Sequence, residues 1–217
     1  LFPEYQRRME QAGRYDFNDM ILWVIRAFKE NAGFLQNQQE RFQYMLVDEF
    51  QDTSGAQSEL LTLLADYWSD PNLFIVGDDD QSVFEFQGAR LQNVIDFYKR
   101  YQDTIKIVVL KENYRSAQAI LDKATASINN NKQRLVYQLE QLNLDKHIRS
   151  ANERFLTEDV APPVVRICYN QLHEEAYVVS EIEELQRRGV ALNNVAVLYA
   201  QHKQAVNIIS LLEKKRI

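Results

Sequence analysis

Two adjacent carboxylates, Asp48 and Glu49, follow the apolar run Met45-Leu46-Val47 and lead into Phe50-Gln51-Asp52-Thr53. An apolar run that opens into acids is the pattern of a buried parallel strand whose carboxyl end faces a site. In phosphoryl transfer such a pair divides its work. One carboxylate helps to hold Mg²⁺ beside the phosphates, and the other orients or deprotonates the attacking water. Standing alone, the dipeptide reads better as the end of a solvated strand.

Two further strand ends follow. Leu73-Phe74-Ile75-Val76 runs into Gly77-Asp78-Asp79-Asp80-Gln81-Ser82-Val83-Phe84-Glu85-Phe86-Gln87-Gly88-Ala89. Ile105 to Leu110 ends in Lys111-Glu112-Asn113-Tyr114-Arg115-Ser116. In a parallel sheet all three ends lie on one edge, so their joint spacing is far more specific than any one of them. Gln81 is a neutral amide that can accept from water and donate to a phosphate oxygen. The three aspartates before it suggest a two-metal nuclease, but consecutive side chains on an extended strand diverge, and that reading is set aside. Phe84 and Phe86 are two apart, so an extended backbone places both rings on one face. Such a pair is either core or a stacking platform for single-stranded bases.

The elements that must position these groups are legible in outline. Asp16 is a good N-cap, Phe17, Ile21, Val24, Ile25 and Phe28 recur at helical spacing, and Gly33 is a plausible stop. Strands are expected at 44–48, 73–76, 105–110, 164–169 and 195–199. Helices are expected at 58–68, 89–101, 116–130, 174–188 and 203–215, with Ser116 capping the third of these and Gly189 closing the fourth. Asp52 and Thr53 read as turn and N-cap groups for the helix that follows them. Strand and helix in alternation argue for an α/β parallel sheet with right-handed crossovers. Residues 132–159 are polar and weakly patterned, and read as a short helix and then an irregular, mobile stretch.

On these residues the chain resembles the UvrD/Rep/PcrA-type DNA helicases of superfamily 1. Asp48 to Thr53 looks like their Walker B motif (motif II), Gly77 to Ala89 like motif III, and Leu110 to Ser116 like motif IV. Tyr15-Asp16-Phe17-Asn18-Asp19-Met20-Ile21 is similar to the segment that precedes motif II. Val195 to Tyr199 resembles the strand after motif IV. The resemblance implies a RecA-like fold in two parts. Residues 1–109 would be the C-terminal part of a first motor domain and 110–217 the N-terminal part of a second, with a mobile stretch at 132–162.

The resemblance also implies roles. Asp48 would bind Mg²⁺ and Glu49 would be the base for water. Gln81 would sense the γ-phosphate of ATP, Tyr114 would stack on the adenine, and Arg115 would reach the γ-phosphate as an arginine finger in cis. Phe84 and Phe86 would lie against the bases of single-stranded DNA, at single-strand/duplex junctions in the working enzyme. Gln87 stands where the family commonly has Arg, so motif III offers no cation there. The plainer alternatives are a turn-capping Asp48, a solvated Glu49, a surface Gln81 and an ordinary ion pair for Arg115.

Composition narrows the class. The 217 residues are 46% hydrophobic and 26% charged, a globular balance. The net charge of −6 argues against a protein that coats nucleic acid non-specifically, but not against a local groove. No apolar run approaches about 18 residues, so no membrane span is expected. Cys168 is alone in an apolar run and reads as a buried structural thiol, in keeping with a reducing, cytoplasmic setting. His147, His173 and His202 have no ligand-like spacing. No Gly-x-x-x-x-Gly-Lys-Ser/Thr loop occurs, so the chain reads as a middle segment that is inactive alone. The remainder of the helicase would supply that loop and motifs V and VI. The rival from another class is a degenerate, non-hydrolysing DNA-binding or partner-docking module.

Overall fold

The computed structural model describes residues 2–82, 91–157 and 160–217. They form two compact units, Leu1–Ala161 and Pro162–Ile217.

The first unit begins with helices α1 (Phe2–Gln11), α2 (Phe17–Glu30) and α3 (Ala32–Arg41). Asp16 caps α2 in a full capping box with Asp19, as its residue type predicts. Gly33 does not stop α2. Asn31 ends that helix and at the same time caps α3, with its side chain accepting from the Phe34 N–H, so Gly33 falls inside the next helix. Ile25 and Phe28 turn inward, while Phe17 and Val24, expected on the same face, are exposed.

Strand β1 (Tyr44–Val47) pairs in parallel with β2 (Asn72–Ile75), Tyr44 opposite Asn72 and Val47 opposite Ile75. Helix α4 (Gly55–Ala65) is the crossover between them and packs on α2 and α3. Its N-cap is Ser54, in a capping box with Gln57, rather than Asp52 or Thr53. Asp52 and Thr53 are instead spent on a 3₁₀ turn, Phe50–Asp52, where the Thr53 hydroxyl donates to the Phe50 carbonyl at 2.7 Å. Helix α5 (Leu91–Tyr101) then places Phe97 edge-on against Phe50, ring centres 5.6 Å apart.

The run 105–110 makes no strand ladder. A strand exists through its neighbour's hydrogen bonds, and among the described residues none lies beside this run, whose Val108 and Leu110 are exposed. Pairing starts later, where the short β3 (Glu112–Asn113) lies parallel to β4 (Arg149–Ser150). Between them come α6 (Gln118–Ile128) and α7 (Leu135–Gln138), and α8 (Glu153–Thr157) follows β4. Helix α6 is capped by Ala117 rather than Ser116. Asn113 takes over that local work, its Oδ1 accepting from the N–H groups of Arg115 and Ser116 at 2.9 and 2.8 Å. Leu121 of this helix is buried, while Ile120 and Ala124 are exposed.

In the second unit, α9 (Gln171–Arg187) packs on α10 (Ala205–Lys215) through Val179, Ile182 and Ala205. Gly189 follows α9 with φ +82°, the left-handed value a helix terminator needs. The expected strands 164–169 and 195–199 are unpaired among the described residues, for the same reason as 105–110. Cys168 is half-buried rather than sealed in a core. The described residues are therefore mixed α/β, with two small parallel sheets.

Candidate functional site

Because β1 and β2 run parallel, their carboxyl ends deliver Asp48-Glu49 and Gly77 to Gln81 to the same edge. The ladder continues past both strands: the Val76 N–H donates to Val47 O at 2.8 Å and the Phe50 N–H to Val76 O at 3.0 Å. Immediately beyond, Gln51 is 1% exposed and joins the two loops. Its Nε2 donates to Glu49 Oε2 at 2.7 Å, and its Oε1 accepts the Asp78 N–H at 3.0 Å.

This junction explains Gly77. A Cβ there would sit 2.7 Å from Gln51 Oε1 and 3.3 Å from the Phe50 nitrogen, too close for either to stay. It also explains the backbone of Glu49, held in the left-handed region at φ 49°, ψ 44°. A non-glycine residue there carries strain of roughly 1–3 kcal/mol, which persists only where its surroundings over-determine it. Here Phe50 is locked on Phe97, and Asn93 Nδ2 of α5 donates to Thr53 O at 2.8 Å.

Asp48 and Glu49 are both exposed. Asp48 Oδ1 accepts the Glu49 N–H at 3.0 Å. Among the described residues no group of three or more His, Cys, Asp or Glu side chains forms a metal cage. A single open carboxylate nevertheless fits Mg²⁺, which keeps several waters and is commonly held by one or two carboxylates plus substrate phosphates.

Gln81 ends a 3₁₀ turn, Asp79–Gln81, and is exposed. Its Nε2 donates to Asp78 Oδ2 at 2.7 Å, which leaves its Oε1 as the end not held by Asp78. The three aspartates do not diverge as extended residues would. The turn brings all three onto one cation, Lys146, whose Nζ lies 2.8, 2.6 and 3.0 Å from Asp78, Asp79 and Asp80. Arg134, 6% exposed, adds a bidentate pair to Asp80 at 2.7 and 2.8 Å. Burial pushes the Asp78 carboxyl up, but hydrogen bonds from Lys146 and Gln81 outweigh it and hold the group below the ordinary carboxylate value. Burial likewise pulls Lys146 down, and its bonds to Asp78 and Asp79 leave it raised.

Tyr114 and Arg115 are exposed. The turn that carries them is held by Asn113 and by Asn152, whose Nδ2 donates to Tyr114 O at 2.7 Å. The Tyr114 hydroxyl donates to Glu112 at 2.7 Å, which raises its pKa, and the ring stays open to a stacking partner. Among the described residues no hydrogen bond or ion pair joins Tyr114 or Arg115 to Asp48, Glu49 or Gln81. Phe84, Phe86 and Gln87 lie outside the described residues.

Gln51, Arg134 and Lys146 escaped the reading of the sequence. Gln51 stood inside a recognised motif as a polar residue with no task. Arg134 and Lys146 are 54 and 68 residues from their aspartates, and only the excess of acid at 78–80 hinted that cations must come from elsewhere.

An acidic strand end and the amide-bearing turn of its neighbour thus share one sheet edge, and a turn further along the chain carries Arg115. The model of the UvrD/REP helicase N-terminal domain matches residues 1–102, and that of the UvrD-like helicase C-terminal domain matches residues 108–217. The chain belongs to the UvrD-like helicase family. It is 35% identical over 216 residues to the ATP-dependent DNA helicase PcrA of Leuconostoc citreum, covering 99% of this chain and 26% of that protein. It is 34% identical over 207 residues to DNA helicase II of Haemophilus influenzae, covering 94% and 26%. With the PcrA helicase of Staphylococcus aureus (strain Mu50) it shares 33% over 205 residues, again 94% and 26%. The chain thus spans about a quarter of the length of these relatives. Among the described residues no helix is long and apolar enough to cross a membrane.

Proposed function

We propose that this chain is the middle part of an ATP-dependent DNA helicase that couples ATP hydrolysis to movement on single-stranded DNA and unwinds duplex at junctions. The observation that carries the reading is the Glu49–Gln51–Asp78 bridge. It sets a candidate base and a candidate phosphate sensor on one rigid sheet edge. The names of the relatives, ATP-dependent DNA helicase among them, support the same substrates.

In this reading Asp48 would hold Mg²⁺, which would offset charge on the phosphates. Glu49 accepts the proton of a water as that water's oxygen bonds to the γ-phosphorus and the bond to the β-phosphate oxygen breaks, releasing ADP. Gln81 accepts from the water through Oε1 and donates its second Nε2 hydrogen to a γ-phosphate oxygen, and Arg115 supplies positive charge to the γ-phosphoryl group from a turn of its own. Tyr114 offers its open ring to the adenine. Phe84 and Phe86 stack on DNA bases, and closure of the cleft around ATP alters that grip.

Two RecA-like motor halves, 1–109 and 110–217, suit this division of labour, and the family models meet between residues 102 and 108. The rest of the helicase supplies the phosphate loop and motifs V and VI, so the isolated chain is expected to be inactive. A role in DNA repair or recombination and a place in the cytoplasm fit the same reading.

The test is ATP hydrolysis by the full-length protein, with and without single-stranded DNA, beside Glu49→Gln. DNA-stimulated turnover lost in the variant supports the motor. A protein that binds DNA without turning over ATP would instead be a docking module.

A further inference from the structure

We propose that Lys146 and Arg134 are positioning residues for Gln81, acting through the three aspartates that precede it; the proposal rests on Gln81 as the phosphate sensor. Asp78 is the shared member. Its Oδ1 accepts from Lys146 at 2.8 Å while its Oδ2 accepts from the Gln81 amide at 2.7 Å. Lys146 therefore fixes the carboxylate that fixes Gln81. Asp79 is held on both oxygens, by Lys146 at 2.6 Å and by the Leu135 N–H at 2.7 Å. Asp80 is held by both guanidinium contacts of Arg134, and Arg134 is itself braced by Asn129 at 2.6 Å.

Three carboxylates in sequence repel one another, and burial raises the penalty for any left unpaired. Two cations offset two of the three charges. With Lys146 removed, Asp78 and Asp79 would lose their only ion-pair partner among the described residues. The turn Asp79–Gln81 would then relieve the repulsion by opening toward water, carrying Gln81 with it. The cations also come from a particular place. Arg115 precedes α6, and Asn129 and Arg134 follow the same helix, so the turn bearing the candidate finger is tied at the far end of α6 to the turn bearing the candidate sensor.

The test compares Lys146→Met and Lys146→Arg with the unsubstituted full-length protein. The readouts are DNA-stimulated ATP hydrolysis and hydrogen exchange of the amides at 78–82 and 135. Lys146→Met should lower kcat about 10- to 100-fold, the scale of a small misplacement at a reacting centre. KM for ATP should stay within about twofold. The same amides should exchange faster, and Lys146→Arg should restore most of kcat. Wild-type kcat in Lys146→Met overturns the proposal. So does loss of kcat only together with ATP binding and cooperative unfolding, which would make Lys146 a structural residue. If the unsubstituted protein hydrolyses no ATP, the motor reading falls and takes the proposal with it; an active protein with an indifferent Lys146 removes the proposal alone.

Discussion

Gln51 and Asp78 meet through a side-chain oxygen and a backbone N–H 3.0 Å apart, and the other end of the same amide holds Glu49 at 2.7 Å. One buried side chain therefore sets the distance between the candidate base and the turn that carries the candidate sensor. Gln51→Leu keeps the volume and removes both bonds. It should destabilise the protein by about 1–3 kcal/mol, the penalty for an unpaired buried polar group, and lower kcat for ATP more than it raises KM. Denaturant unfolding and steady-state kinetics on the same preparation separate the two effects.

Gly77 is the tightest point of that junction. Gly77→Ala places a Cβ 2.7 Å from Gln51 Oε1 and must displace it or the Phe50 backbone. A loss of about 1–3 kcal/mol is expected. In Gly77→Ala combined with Gln51→Ala the cost should be smaller than the sum of the single losses, because the second change removes the obstacle.

Arg115 is exposed, and among the described residues its side chain makes no hydrogen bond or ion pair. Arg115→Ala should lower kcat by about 10³-fold or more while ATP still binds. Retention of most of the activity would return Arg115 to an ordinary surface role.

The aspartate cluster makes a prediction about pH. The Asp78 carboxyl is held below its ordinary 3.8 and the Lys146 ammonium above its ordinary 10.5. A depressed acid contributes stability that is present above its unfolded pKa and lost as pH falls through its folded one. A raised base contributes stability that is complete below its unfolded pKa and lost as pH rises through its folded one. The stability difference between wild type and Lys146→Met should therefore be flat between roughly pH 4 and 10 and shrink on both sides of that range, as Asp78 is protonated below it and Lys146 loses its proton above it. A difference that vanished near pH 6 would point to another group.

Phe84→Ala and Phe86→Ala should each weaken single-stranded DNA binding by about 1–3 kcal/mol per base released, with ATP binding unchanged. Wild-type DNA affinity in both variants would leave the pair without a role in DNA binding.

Local chemistry carried much of this in the sequence. Asp16 as a cap, Gly189 as a stop, and the parallel strands expected at 44–48 and 73–76, which the structure has at 44–47 and 72–75, follow from residue type and near neighbours. The motif residues Asp48, Glu49, Gln81, Tyr114 and Arg115 were legible as candidates because three polar segments follow apolar runs in succession and together resemble the motifs of one family. The runs 105–110, 164–169 and 195–199 show the limit. An apolar period states that a segment wants burial; it does not supply the neighbouring strand whose hydrogen bonds would make it a strand.

What the sequence determined by itself was which groups could do chemistry, from residue type and short spacing, and that Asp48-Glu49 and Gln81 would share an edge; Tyr114 and Arg115, expected on that same edge, instead follow β3 of a separate two-stranded sheet. Only the tertiary structure decided what holds them. Gln51 spanning Glu49 and Asp78, and Lys146 gathering three aspartates from 68 residues away, are contacts across folded loops. The physical reason is that a charge or an amide acts over a few ångströms in space, and separation along the chain does not reveal which groups come that close.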